Sequence, residues 1–288
     1  PDPRTIGGMS CLVDPASVCL TSGGDDIRYR SYVNHRIWAA EAGTDYRLEI
    51  GLGPGLRSPY DHKYAVIRTV LPRYLWTVWL DDDVYFTDWN PTRVLDLIDA
   101  AEQDGLWGVI AEGPAEPQGH WSRINSGVMI LRNDRRTSRM LRQAQQLDLN
   151  QARARWNDAE DGLFTHGDQD AIWVTVRDDA ELRDGLRIVG HADLNSRPHL
   201  IEGALDSVAT VHFCGPGDKR ARLARFAAAH GLGQELVPEH LLDAYSVRRR
   251  GRLHPAESAG RELKDRTDAL LRRARRKAQW IRQNRRWS

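Results

Sequence analysis

The sequence predicts an α/β fold built around a largely parallel sheet. Three observations lead there. Short apolar, β-prone runs alternate along the chain with longer helix-like segments, the pattern of strands joined by crossover helices. A chain of 288 residues, 41% of them hydrophobic, is long enough to bury a large core, as one large domain or two smaller ones. The polar clusters lie at the ends of apolar runs, and open α/β sheets collect ligands at the carboxyl ends of their strands.

The elements follow in order. Ser17-Val-Cys-Leu-Thr21 reads as a first strand running into the turn Ser22-Gly-Gly-Asp-Asp26. A helix is expected from about Arg28 to Ala42, with Gly43 as its stop. Tyr46-Arg-Leu-Glu-Ile50 alternates like a strand and ends in the glycine-rich loop Gly51 to Gly55. Asp61 to Val70 suits a helix closed by Pro72, and Pro91 suits the first turn of another that reaches Ala101. Leu106 to Ile110 and Gly127 to Leu131 read as strands, and Thr137 to Leu147 as a helix. Gly167-Asp-Gln-Asp170 opens a further helix with acids at its positive end. Leu186 to Val189 and Ala209 to Phe213 are the last strands.

The run Thr77-Val-Trp-Leu-Asp-Asp-Asp-Val-Tyr-Phe86 carries the most chemistry. Adjacent carboxylates disfavour a buried strand, yet apolar residues flank them on both sides. Buried carboxylates need a cation nearby. Strand alternation would turn Asp81 and Asp83 to one side and Asp82 to the other, a hard-oxygen site for Mn²⁺ or Mg²⁺. In isolation such a triplet would read as a solvated turn; the flanking hydrophobics argue against that.

Composition narrows the classes. The three cysteines lack CxxC spacing, which supports neither a disulfide framework nor a zinc site and points to a reducing cytosol. No apolar run approaches the ~20 residues of a membrane span, and no signal peptide is visible in a chain that starts at Pro1. Charge is divided. From Arg248 onward 15 Lys and Arg face 4 Asp and Glu, a local +11, so the remainder carries −10 within a total of +1. The expected organisation is a catalytic domain over 1–247 and a basic tail over 248–288.

Four segments together resemble a known pattern. Trp79-Leu-Asp-Asp-Asp83 looks like the DxD motif of nucleotide-sugar-dependent glycosyltransferases of GT-A fold. Ile124-Asn-Ser-Gly-Val-Met-Ile-Leu-Arg-Asn133 resembles a strand of glycosyltransferase family 34, whose members transfer galactose, xylose or mannose. Gly167-Asp-Gln-Asp-Ala171 resembles the "DQ" segment of that family and of the related family 8, and Val211-His-Phe-Cys-Gly215 their "HFxG" motif. The resemblance implies a GT-A domain, a divalent cation (Mn²⁺ or Mg²⁺), a UDP- or GDP-sugar donor, a carbohydrate or glycolipid acceptor, and retention of configuration.

Carried over residue by residue, it implies that Asp81, Asp83 and His212 hold the metal. Asn125, Ser126 and Gly127 would line the sugar pocket, and Asp168, Gln169 and Asp170 would sit beside the transferred sugar. Thr21, Ser22 and the Gly23-Gly24 turn would cradle base and ribose. Lys63 matches a family lysine near that motif, and Asp82 is grouped with the donor-binding residues. Gly215 and Lys219 would serve the phosphates, although Pro-Gly-Asp stands between them and gives that loop a different path.

Plainer readings stand beside these. Asp168 and Asp170 also suit any helix N-terminus, Asn125-Ser-Gly127 suits a turn, and most tryptophans suit a core. His62, His120, His166, His191 and His199 show no ligand spacing. A metal-dependent nucleotidyl- or phosphotransferase would also want clustered Asp, but has no particular use for the other segments. A nucleic-acid-binding protein led by its tail conflicts with the acidic body, so no nucleic acid is expected. From Arg261, Leu263, Thr267, Leu270, Leu271, Ala274, Ala278 and Ile281 recur at helical spacing among basic residues. With Trp280 and Trp287 this tail suits an anionic membrane surface, or else a partner or the acidic body. The location expected is cytoplasmic, peripheral on the inner face of the membrane.

Overall fold

The computed structural model describes residues 5–6, 9–10, 12–24, 29–51, 59–116, 119–215, 217–248 and scattered positions from 257 to 274. The chain divides into two compact units, Pro1–His212 and Phe213–Ser288.

In the first unit β1 (Thr5–Ile6) and β2 (Met9–Ser10) form a short antiparallel ladder. The main sheet uses β3 (Val18–Gly24), β4 (Asp45–Ile50), β5 (Trp76–Leu80), β7 (Gly108–Gly113), β8 (Ser122–Arg132) and β9 (Leu186–Val189), in the order β4-β3-β5-β8-β7-β9. β6 (Val84–Phe86) pairs antiparallel with β10 (Thr210–His212) in a separate ladder. Helices α1 (Ser31–Glu41), α2 (Pro59–Val70), α3 (Thr92–Gln103), α4 (Arg135–Gln146), α5 (Leu149–Ala154), α6 (Asp158–Asp161), α7 (Asp168–Arg177), α8 (Ala180–Asp184) and α9 (His191–Leu194) complete this unit.

Alternation places the core on both faces of the sheet. Trp76, Val78 and Leu80 of β5 join Trp38, Phe86, Ile98 and Val109 in one cluster, while Trp79 joins Ile67, Val70, Trp107 and Leu131 in the other. Trp76, Trp79 and Trp107 are at most 2% exposed, which makes them packing residues. Burying each such side chain contributes about 1.5–3 kcal/mol.

One expectation is corrected. The Asp-rich run is two strands, not one: β5 ends at Leu80, a turn follows, and the Val84 N–H donates to the Asp81 carbonyl at 3.1 Å. The turn is not a solvated one, since Asp83 is 2% exposed. The sheet also holds one reversed strand, because β8 runs antiparallel to both β5 and β7. Reversal has a consequence for the site. Val128 pairs with Leu80, so residues 125–127 extend past the carboxyl end of β5 and meet the Asp turn there.

Helix α1 clamps that turn from beneath. Asn34 exchanges two bonds with the backbone of Phe86, Ser31 Oγ donates to the Asp82 carbonyl at 2.6 Å, and His35 Nε2 donates to the Val84 carbonyl at 2.8 Å. His35 is fully buried and its Nδ1 has no hydrogen-bond partner among the described residues. Burial pushes its pKa down to about 4 from 6.5, with the bond to Val84 opposing. The unfolded chain therefore takes up this proton at higher pH than the folded one. Stability is full above about pH 6.5 and falls by on the order of 3 kcal/mol as pH drops to 4. Urea denaturation of the wild type and of His35→Gln across pH 4–8 checks this. Equal pH slopes for the two proteins would refute the assignment.

The second unit contains α10 (Lys219–Ala229) and α11 (Glu239–Ala244). Asp218 caps α10 by accepting from the Ala221 N–H at 3.0 Å, and Arg222 donates back to the carbonyls of Phe213, Cys214 and Gly215. In the expected tail, residues 263, 264, 267, 268, 270, 271 and 274 are helical. Leu263 and Leu270 are 68% and 67% exposed. Ala278, Trp280, Ile281 and Trp287, like Gly55, Arg28 and Cys11, lie outside the described residues.

Candidate active site

Three segments converge at the carboxyl end of β5. The Asp turn supplies Asp81 and Asp83. Pairing of β6 with β10 sets His212 opposite Val84, one residue beyond the turn. His212 Nε2 lies 3.1 Å from Asp83 Oδ1 and 3.9 Å from Asp81 Oδ2. One ligand atom from each residue falls within 4.8 Å of the others, two carboxylate oxygens and an imidazole nitrogen. Adjacent ligands on an octahedral ion with bonds of about 2.1 Å stand about 3 Å apart, so the triad fits a divalent cation.

β8 forms the adjacent wall. Asp81 N–H donates to the Gly127 carbonyl at 2.8 Å. Asn125, 4% exposed, turns its carbonyl oxygen to the Gly127 N–H at 3.0 Å and to Asn195 Nδ2 at 2.7 Å. Gly127 is needed for space. A Cβ there would lie 2.2 Å from His212 Cε1.

Lys63 of α2 joins this wall to α7. Its ammonium is buried, 3.0 Å from Asp81 Oδ1, 2.5 Å from Asp168 Oδ2 and 3.0 Å from the Ser126 carbonyl. Ser126 Oγ donates to the same Asp168 oxygen at 2.9 Å. Burial pulls the Lys63 pKa down, but the carboxylates of Asp168 and Asp81 more than offset it and leave it above the ordinary lysine value. Trp79 Nε1 also donates to Asp81 Oδ1, at 2.8 Å.

The two acids of α7 occupy different environments. Asp168 is partly exposed beside Lys63, as is Gln169 next to it. Asp170 is wholly buried and accepts from Thr165 N, Thr165 Oγ1 and Gly167 N, bonds that hold the turn entering the helix. Its pKa is raised, burial outweighing these bonds.

The residues expected around base and ribose are more enclosed than a cradle requires. Thr21 is fully buried, and Ser22, 2% exposed, shares its hydroxyl with Tyr46 at 2.7 Å. Gly23 is the more open position, packed against His62 and the Glu49 carbonyl. Asp82, half-buried, presents its carbonyl to Ser31. Gly215, at φ +85, and Lys219, the first residue of α10, belong to the second unit.

Sequence reasoning missed Arg197, 7% exposed, whose Nη1 stands 3.5 Å from His212 Nδ1 while Nε donates to Glu116 at 2.9 Å. A lone arginine in a chain with 41 Lys and Arg gives no signal. Lys63, grouped with the donor-binding residues, has its ammonium against Asp81 and Asp168.

No family model and no curated protein matches the sequence. Solved structures do. A glycosyltransferase involved in the glycosylation of the major capsid of PBCV-1 is 16% identical, with a TM-score of 0.53 over 75% of this chain and 99% of that one. The glycosyltransferase GlyE of Streptococcus pneumoniae TIGR4 is 15% identical, with a TM-score of 0.46 over 82% of this chain and 65% of that one. The first likeness establishes the architecture: this chain has the GT-A fold, as the sequence predicts.

Proposed function

We propose that this chain is a metal-dependent retaining glycosyltransferase that moves a sugar from a UDP- or GDP-sugar to a hydroxyl of a carbohydrate or lipid-linked acceptor. One observation carries the reading. Asp81 and Asp83 of one turn and the sequence-distant His212 converge on one cation-sized space beside the Lys63–Asp168 pair. A nucleotidyl- or phosphotransferase would also use the carboxylates.

In this reading Asp81, Asp83 and His212 hold the cation, which supplies Lewis-acid neutralisation of the departing diphosphate. Lys63 pairs with Asp168 and fixes it next to Ser126, so this carboxylate stands where the sugar ring becomes positive. Gln169 adds a neutral carbonyl or amide at the same helix end. Asp170 shapes the turn and does not touch substrate. Asp170 is enclosed, and Asp168 Oδ2 is held by Lys63 and Ser126, which leaves Asp168 Oδ1 as the carboxylate oxygen for a nucleophilic route. Departure and attack on the same face of the sugar is the other route to retention. The ¹H NMR anomeric coupling of the first-formed product reports retention.

A thermal-shift panel of nucleoside diphosphates and nucleotide sugars, with and without Mn²⁺, tests the reading. A ligand that binds only the folded state raises the melting point by mass action. UDP or GDP is expected to shift it only with Mn²⁺, and Asp83→Ala to remove that shift. Slow donor hydrolysis should release nucleoside diphosphate and free sugar; cleavage within the diphosphate would replace this reading with the nucleotidyltransferase.

Among the described residues no helix is long and apolar enough to cross a membrane. Exposed Leu263, Leu270 and Leu271 among basic residues support a cytoplasmic enzyme whose tail lies on an anionic surface. The full chain should co-sediment with phosphatidylglycerol vesicles at low salt, and a variant with these three leucines changed to serine should stay in the supernatant. Equal pelleting would exclude the surface.

A further inference from the structure

A second concavity lies on the first unit, beyond Asp168. It is a cleft of about 360 Å³ whose lining includes Trp121, Arg153, Asp158, Leu163, Phe164 and His166. The size suits one or two sugar rings, at the lower end of ordinary ligand pockets. We propose that this cleft is the acceptor subsite, and that it takes a neutral carbohydrate; the proposal rests on the glycosyltransferase reading.

Its position follows from the chain. His166 is two residues from Asp168, so their Cα atoms are at most about 7 Å apart. Trp121 precedes β8 and lies four residues from Asn125, about 13 Å along an extended strand. Part of the cleft wall thus lies within about 7 Å, Cα to Cα, of the acid proposed at the reacting centre. An acceptor held there would stand near the donor sugar.

The chemistry of the lining selects the ligand class. Trp121 is half-buried and Leu163 is 45% exposed, so both present apolar surface at the cleft. Flat aromatic and apolar surface suits the C–H face of a pyranose ring, while hydroxyl groups need donors and acceptors at the rim. Arg153 and Asp158 provide both. They form a forked pair with bonds of 2.6 and 3.1 Å, and the guanidinium also rests 5.3 Å from the centre of the Phe164 ring. Being paired, they add no net charge, which disfavours a phosphate and suits a neutral polyol.

Backbone strain marks the same place. His166 adopts φ +60, a left-handed conformation uncommon for a non-glycine residue, and its ring meets Phe164 edge to face at 4.8 Å. The bonds of Asp170 to Thr165 and Gly167 hold the turn around it. The fold maintains an imidazole at the mouth of the cleft where glycine would be easier, an arrangement expected of a functional wall.

Saturation-transfer NMR on the full chain with lactose, maltose and cellobiose, and glucose 1-phosphate as an anionic comparison, tests the proposal. At least one neutral disaccharide is expected to bind, and Trp121→Ala to weaken it by about tenfold or more. His166→Gly should weaken it too while tolerating the backbone conformation, so its folding is secure if the tryptophan variant fails. Both variants should keep the Mn²⁺-dependent nucleotide shift. The subsite is overturned if no neutral disaccharide binds, if glucose 1-phosphate alone binds, or if His166→Gly binds like the wild type. A wild type that binds sugar in the cleft yet shows no Mn²⁺-dependent nucleotide shift would instead sink the transferase reading.

Discussion

Gly127→Ala should erase Mn²⁺-dependent nucleotide binding while leaving the protein folded. The new methyl would stand 2.2 Å from His212 Cε1, 2.4 Å from Nδ1 and 3.0 Å from Asn125 Oδ1. Such contacts force movement, and the directions of movement are limited. Asn125 is held by Asn195, and the Gly127 carbonyl by the Asp81 N–H. His212, 4% exposed, is the group left to give way, with Arg197 Nη1 3.5 Å from its Nδ1. Overpacking of this kind costs about 1–3 kcal/mol in stability. Displacing one of three protein ligands should lower Mn²⁺ affinity about 100-fold, some 2.7 kcal/mol. Calorimetric Mn²⁺ titration in the presence of the nucleotide checks this. Wild-type affinity in G127A would show that His212 is not a ligand.

Lys63→Met is the second large effect, and it separates stability from chemistry. The ammonium is the cation shared by Asp81 and Asp168, and methionine keeps the stem's volume without the charge. Removing one partner from a buried ion pair leaves its carboxylates uncompensated, a loss of about 3 kcal/mol. For a unit of this size that lowers the melting point by about 6–12 °C. The sign with pH is definite. In the wild type the Lys63 pKa is raised, so its contribution is complete below about pH 10.4 and constant across the neutral range. The stability lost with the charge is therefore the same throughout the neutral range. Transfer should fall by about 100-fold or more, because Asp168 is no longer fixed beside Ser126. Melting curves at pH 7 and single-turnover rates decide it. A variant that melts with the wild type would show that charge pairing is not what Lys63 contributes.

These cases show how much of the site could be read beforehand. Asp81 and Asp83 were legible because carboxylates inside an apolar run violate the pattern that a core demands. His212 was named instead through the resemblance of Val211-His-Phe-Cys-Gly215 to the HFxG motif. Leu186 to Val189 was recovered with its boundaries. The single Asp-rich strand was not, because alternation looks the same on paper whether the chain stays straight or turns. Only the α1 clamp from Ser31, Asn34 and His35 reveals the turn, and nothing local in Asn34 or His35 announces a partner some fifty positions later. The cleft at Trp121 and His166 was likewise invisible, since a lone histidine and a lone tryptophan carry no spacing.

Periodicity and the placement of charge among apolar residues are properties of neighbouring positions, and they determined the α/β class, the carboxylate pair and the acidic body with its basic tail. Direction and proximity are not local properties. The reversal of β8, the pairing of β6 with β10 that seats His212, and the meeting of Lys63 with Asp168 were decided only in three dimensions. Each depends on which distant segments pack together, a choice made by the burial of the whole sheet rather than by any residue's own preference.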